Sequence, residues 1–244
     1  MCPREPEPEF VLKPLTPIRK VIAKRVSDSF RDIPQFDLHA EIDASALRAA
    51  RAGYKQTGGG HGSIEMLVPG YNDMIIHCCA PALKKHPVLN AHYTEEGIKQ
   101  FSEVNIGFAV ATDQGVFLPV IRKADTKSIE EISRETAEMS KLARELKLRA
   151  SAQMHGTFTV SSLGGSGIDA FNAVINPPQV AILASGAVIE KPRVRQGSIS
   201  PVPVMHLTLT VDHRAVDGAD AAAFLADVKQ ALENFDGGNN LSLK

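Results

Sequence analysis

Apolar positions recur along this chain with two periods, and the points where the period changes divide it into elements. Ile18, Val21, Ile22, Val26 and Phe30 fall at helical spacing. Thr16 before Pro17 offers a hydroxyl cap and a first-turn proline, so an amphipathic helix is predicted to start there. Period two takes over at Phe36, Leu38, Ala40 and Ile42, the mark of a half-buried strand. Asn72 to His86 reads as a buried helix that Pro81 should kink or shorten. Val104, Ile106, Phe108 and Val110 predict a strand, Asp113-Gln114-Gly115 a turn, and Val116 to Ile121 a second strand. Ser128 with Glu131 forms a capping box ahead of a helix carrying Ile129, Ile132, Met139, Leu142 and Leu146. Phe158 and Val160 alternate with Thr157, Thr159 and Ser161 in a strand that runs into Gly164-Gly165-Ser166-Gly167. Val180 to Val188 predicts a central strand. Met205, Leu207, Leu209 and Val211 predict another, followed by a helix with Phe224, Leu225, Val228, Leu232 and Phe235 that Gly237-Gly238 should stop. Strands and helices mix without strict alternation or internal repeat. The expectation is a single α/β domain, a mixed sheet covered by helices.

The 244 residues are 43% hydrophobic and 23% charged, with a formal net charge of -1. That balance gives no electrostatic case for nucleic acid or an anionic membrane surface. No apolar run approaches the roughly 18 residues that span a bilayer. Cys2, Cys78 and Cys79 include no zinc-type spacing and no pair placed to bridge, so no metal is expected and a reducing, cytoplasmic compartment is the plain reading. The stretch Thr57 to Gly62 (TGGGHG) lacks the strand and Lys-Ser/Thr pair of a phosphate cradle and reads as a linker.

Candidate chemistry lies in Asp212-His213-Arg214-Ala215-Val216-Asp217-Gly218. His213 follows an apolar strand and Asp217 follows four residues later, so burial and a carboxylate are both available to tune the imidazole. Acyl transfer needs a base for the attacking group and a donor for the oxyanion. His213 supplies the first, Ser161 the second, and Asp217 steadies the ring or the loop. Each residue alone also has an ordinary structural reading, as a strand-end histidine or a turn serine.

DHRAVDG, the segment GTFTVSSLGGSGIDAFNAVINPPQVAIL (156–183) and PIRKVIAKRV (17–26) together resemble the catalytic domain of dihydrolipoamide acyltransferases, core components of 2-oxoacid dehydrogenase complexes. IPQFDLHAEID, HPVLNA and VNIGFAVATDQGVFLPVI follow the same pattern in the same order, so the resemblance spans residues 14 to 235. The His-x-x-x-Asp-Gly run alone is shared with chloramphenicol acetyltransferases. The resemblance implies a chloramphenicol acetyltransferase-like mixed-sheet sandwich in a homotrimer, with each active site at a subunit interface. Coenzyme A or its acyl thioester would be one substrate and dihydrolipoamide the other. By motif, His213 is the general base, Ser161 the oxyanion donor and Asp217 the accompanying carboxylate. Arg51, Ser162 and Gly186 resemble coenzyme A contacts. The acyl group implied is acetyl, as in the pyruvate-complex branch, and the compartment is the cytoplasm, or the mitochondrial matrix in a eukaryote.

The sequence departs from that family in places. It contains no Asp-Lys-Ala lipoylation motif, so the lipoyl group is expected from another domain or chain, alongside dehydrogenase and dihydrolipoamide dehydrogenase partners. Residues 1–13 read as an arm or linker remnant, 14–236 as the catalytic domain and 237–244 as a tail. That tail, glycine- and asparagine-rich, replaces the apolar end that docks trimers into larger shells. His155 stands where the family often has glycine. Two other readings are a stand-alone coenzyme A-dependent acyltransferase with a different acceptor, and a non-catalytic structural core.

Overall fold

The structure is a computed structural model describing residues 9–57, 68–195 and 197–237. Thr16 accepts from the Arg19 amide at 3.2 Å and opens α1 (Pro17–Asp32), as expected. Then come β1 (Gln35–Asp43), α2 (Ser45–Thr57) and α3 (Tyr71–Lys85), which continues four residues past Pro81. The helix is therefore not shortened at Pro81, and the residues on both sides of it stay buried in the core. Two short hairpin strands, β2 (Ala91–Thr94) and β3 (Gly97–Gln100), pair with each other.

The two strands expected between Val104 and Ile121 are four: β4 (Ile106–Phe108), β5 (Val110–Thr112), β6 (Gly115–Phe117) and β7 (Val120–Ile121). Between β4 and β5 the Ala109 amide bonds to the Val160 carbonyl, and Pro119, which has no N–H to donate, separates β6 from β7. The Asp113-Gln114 turn joins β5 to β6 as expected. Ser128 and Glu131 close the capping box of α4 (Ile129–Arg144) at 3.2 and 2.8 Å. The remaining elements are β8 (Phe158–Ser162), β9 (Ala181–Ser185), β10 (Ile189–Arg195), β11 (Ser198–Asp212) and α5 (Gly218–Glu233). α5 ends at an Asn234 cap, before the expected glycine stop, and Phe235 packs as core beyond it.

The main sheet has seven strands in the order β1-β11-β9-β8-β4-β7, with β10 added beside β11. β4, β8 and β9 run parallel and the other pairings are antiparallel, so the sheet is mixed as expected. One face carries Leu207, Leu209 and Val211 against α3 and α5 in the principal core. Burying such side chains contributes about 1.5–3 kcal/mol each. The opposite face is polar on β1 and β11, where His39 and Glu41 meet Thr208 and His206 across the register. A second small cluster of Ile33, Phe171, Ala173, Ile175, Ile182 and Ala184 lies on that face under residues 168–178.

α1 is fixed to that strap by Ser29, whose hydroxyl donates to the Ile175 carbonyl at 2.6 Å, and by Arg25, which donates to Pro177 at 2.8 Å. The apolar side of this amphipathic helix is largely open within the chain. Val21 is 66% exposed and Phe30 75%, and Ser29 is the only buried residue of the helix.

Candidate active site

His213 stands one residue beyond β11, where the sheet hands over to α5. Its amide donates to the Pro34 carbonyl at 3.0 Å, and its ring lies 4.6 Å from Phe36 at 42°. Asp212 is completely buried, and Arg214 folds back on it with a two-armed hydrogen bond, Nε to Oδ1 at 2.9 Å and Nη2 to Oδ2 at 2.7 Å. The Arg214 amide also donates to Asp212 Oδ1 at 3.0 Å. Both flanks of the histidine are thus held inward while the imidazole faces out. It is exposed within a single chain, not in the partly dry setting expected from the strand pattern. Asp217 is exposed too and forms the N-cap position of α5, with no side-chain cap bond and no contact to the His213 ring among the described residues. A carboxylate there complements the positive end of the helix.

Ser161 and Ser162 end β8. Register pairs Ser161 with Ala184, and Ala184 with Thr208, which places Ser161 on the polar face of the sheet, half-buried. Ser162 pairs with Ser185, on the helix-covered face. The two serines therefore open into different spaces, because successive strand residues alternate sides. Ser162 and Gly186 both line a cavity of about 580 Å³ that also takes in Arg48, Tyr71, Asn72 and the glycines 164 and 165. Arg51 does not line it. It stands behind Tyr71, with its guanidinium 5.5 Å from that ring. Arg48, one helical turn earlier, faces the cavity and pairs with Glu190 at its edge. Of the buried polar atoms lacking a partner among the described residues, Asn72 Oδ1 belongs to a residue lining this space, and Arg51 Nε and Ser185 Oγ belong to residues that do not line it. Unpaired buried polar atoms cost stability unless a ligand or water completes them. Sequence reasoning missed Arg48, Tyr71 and Asn72. The i, i+3 spacing of Arg48 and Arg51 on α2 is the one signal that could have flagged a basic wall.

The glycines hold the cavity floor. A Cβ on Gly186 would sit 1.7 Å from the Asp169 carbonyl oxygen, and one on Gly164 would sit 2.6 Å from the Gly186 carbonyl oxygen. Gly186 is thus demanded first by backbone packing.

Ser161 and His213 do not meet in one chain. Thr208, two strands across from Ser161, is five residues short of His213 along β11. At about 3.3 Å per residue and about 4.8 Å per strand, that separation is close to 20 Å.

This architecture is shared with chloramphenicol acetyltransferase, which superposes with a TM-score of 0.53 at 16% identity over 91% of this chain and all of that one. The chain belongs to the 2-oxoacid dehydrogenases acyltransferase (catalytic domain) family, whose model matches residues 7–237. The dihydrolipoyllysine-residue acetyltransferase component of the pyruvate dehydrogenase complex of Rickettsia bellii is 40% identical over 231 residues, 95% of this chain and 54% of that protein. The chain thus spans about half the length of that relative. The dihydrolipoamide acetyltransferase of Azotobacter vinelandii superposes with a TM-score of 0.87 at 30% identity, covering 96% of this chain and 98% of that one. In that enzyme a serine, a histidine and an asparagine were investigated for their roles in catalysis. They lie 52 and four residues apart, the same intervals as Ser161, His213 and Asp217 here.

Proposed function

We propose that this chain transfers an acyl group, acetyl by preference, between dihydrolipoamide and coenzyme A at a site shared by two neighbouring chains of a trimer. The observation that carries the reading is the separation of Ser161 from His213 by close to 20 Å within one chain, in a family and at intervals where both are expected to act together. A second copy brings His213 to the Ser161 of its neighbour. The exposed apolar side of α1 supplies a surface for such packing.

The reaction follows from the groups brought together. A free thiol has a pKa of about 8.5, so a few per cent is thiolate at neutral pH. His213 takes the thiol proton of coenzyme A as its sulfur attacks the thioester carbonyl carried by dihydrolipoamide. The carbonyl oxygen gains the negative charge, and the neighbour's Ser161 hydroxyl donates to it. Collapse breaks the bond to the dihydrolipoamide sulfur, which receives the proton from His213. Asp217 steadies the start of α5 beside the base. The cavity at Ser162, Gly186 and Arg48 suits coenzyme A, with Arg48 as a cation for its phosphates, Arg51 backing the Tyr71 wall and the Asn72 Oδ1 as an acceptor for an amide of its arm. The acyl group arrives on a lipoyl domain from elsewhere in the complex, alongside the dehydrogenase and dihydrolipoamide dehydrogenase.

The test is turnover of acetyl-coenzyme A with free dihydrolipoamide, comparing the chain with His213→Ala. A loss of about 10²- to 10⁴-fold is expected, the usual contribution of a general base. Equal, negligible rates in both would overturn the reading in favour of a structural core.

A further inference from the structure

We propose that Tyr93 is a positioning residue for His213, acting through Arg214 and Asp212, an inference that rests on the acyl-transfer reading above. Tyr93 lies on β2, far from the catalytic run in sequence. Its amide donates to the Pro178 carbonyl at 2.9 Å, which ties β2 to the residues leading into β9. The half-buried ring lies 4.0 Å from the Arg214 guanidinium, face-on as a cation–π partner.

Arg214 is the only side chain hydrogen-bonded to the Asp212 carboxylate among the described residues, and Asp212 is buried with 1% of its side chain exposed. Arg214 itself keeps 33% of its side chain exposed, so water competes for its outer side. The Tyr93 ring covers one face of the planar guanidinium and keeps its fork turned toward Asp212. That matters for His213 because the fork closes a turn only three residues long. The Asp212 amide is bonded to Val180 at 2.8 Å, and the Asp212 carbonyl accepts from both Ala215 and Val216 at 3.0 Å. With Asp212 and Arg214 joined, the backbone between them can aim the imidazole in few directions. If Arg214 swings into solvent, the turn loses its brace and the buried Asp212 carboxylate keeps only the Arg214 amide as a donor, with no cation beside it. A base misplaced by about 1 Å can cost up to about 10²-fold in rate while substrate contacts elsewhere are untouched.

The ring face, and not the hydroxyl, carries the effect, since the Tyr93 hydroxyl has no hydrogen-bond partner among the described residues. The experiment is steady-state turnover of acetyl-coenzyme A with dihydrolipoamide for Tyr93→Phe, Tyr93→Leu and Tyr93→Ala, each normalised to folded protein by circular dichroism. Tyr93→Phe should stay within about twofold of wild type. Tyr93→Leu and Tyr93→Ala should lose about tenfold in kcat with KM for coenzyme A unchanged, because a cation–π contact of this kind is the interaction removed. Tyr93→Leu keeps an apolar side chain over Arg214, so it tests the ring even where the alanine variant folds poorly. Full kcat in Tyr93→Leu would overturn the proposal, as would a loss confined to KM or an equal loss in Tyr93→Phe. An inactive wild type would instead sink the acyl-transfer reading.

Discussion

At the scale of single residues, the chain separates groups held for chemistry from groups held for stability. His213 faces outward while its two neighbours are pinned, so its reach is set by Asp212, Arg214 and the Phe36 ring. His77 shows the opposite arrangement. It is buried on α3 against the edge of Phe235, its Nε2 has no hydrogen-bond partner among the described residues, and burial pushes its pKa below the ordinary value. The unfolded chain therefore binds this proton at a higher pH than the folded one. The stability held by the neutral ring is present above pH 6.5 and is lost as pH falls through that value. Thermal unfolding midpoints taken from pH 7.5 down to 5.5 should fall for the wild type and fall less steeply for His77→Leu; parallel curves would contradict this. The candidates His213 and Ser161 were legible in the sequence only in combination, because a strand-end histidine or a serine before glycines alone has an ordinary structural reading and the family resemblance singled them out. Tyr93, Arg48 and Asn72 were not, since their roles come from strands and helices brought together across long stretches of chain.

Among the elements, those whose pattern and packing agree were readable in advance: β1, α4 with its capping box, β8 and β11. Errors arose where a tertiary contact overrides a local rule. α3 runs through Pro81 because its flanks are locked in the core, and the apolar run 116–121 splits at Leu118-Pro119 into strands of different sheets. The glycines around the 580 Å³ cavity belong to this scale as well, since they let the turn after β8 and the end of β9 touch. Gly186→Ala would drive a methyl into the Asp169 carbonyl and force the two segments apart. We expect a stability loss of about 1–3 kcal/mol, as for other overpacked sites, and a raised KM for coenzyme A. Denaturant melts together with coenzyme A titration would check both; wild-type values in the two would show that the segments yield freely.

For the molecule as a whole, the sheet register keeps Ser161 and His213 apart within one chain, which is the ground for the proposed site between chains. If the proposed trimer forms, Ser161→Ala and His213→Ala proteins, each nearly inactive, should regain activity when unfolded together and reassembled. Random mixing places an intact serine opposite an intact histidine at about a quarter of the interfaces of a closed ring. No recovery above the separate proteins would mean that both residues serve the same chain. Residues 238–244, from which the case against larger shells was drawn, lie outside the described residues, so light scattering of the intact chain is the measure of assembly size. Periodicity along the chain carries no distance across a sheet, so the interface site was expected from the family resemblance alone and the separation of Ser161 from His213 emerges only with the strand order. The outward-turned α1 and the divided serine and histidine carry one last consequence: dilution should act as an inhibitor. On the proposed trimer, a protomer that leaves takes half of two different workplaces with it, so specific activity should fall with falling protein concentration; a specific activity constant down to concentrations where light scattering reads single chains would contradict this.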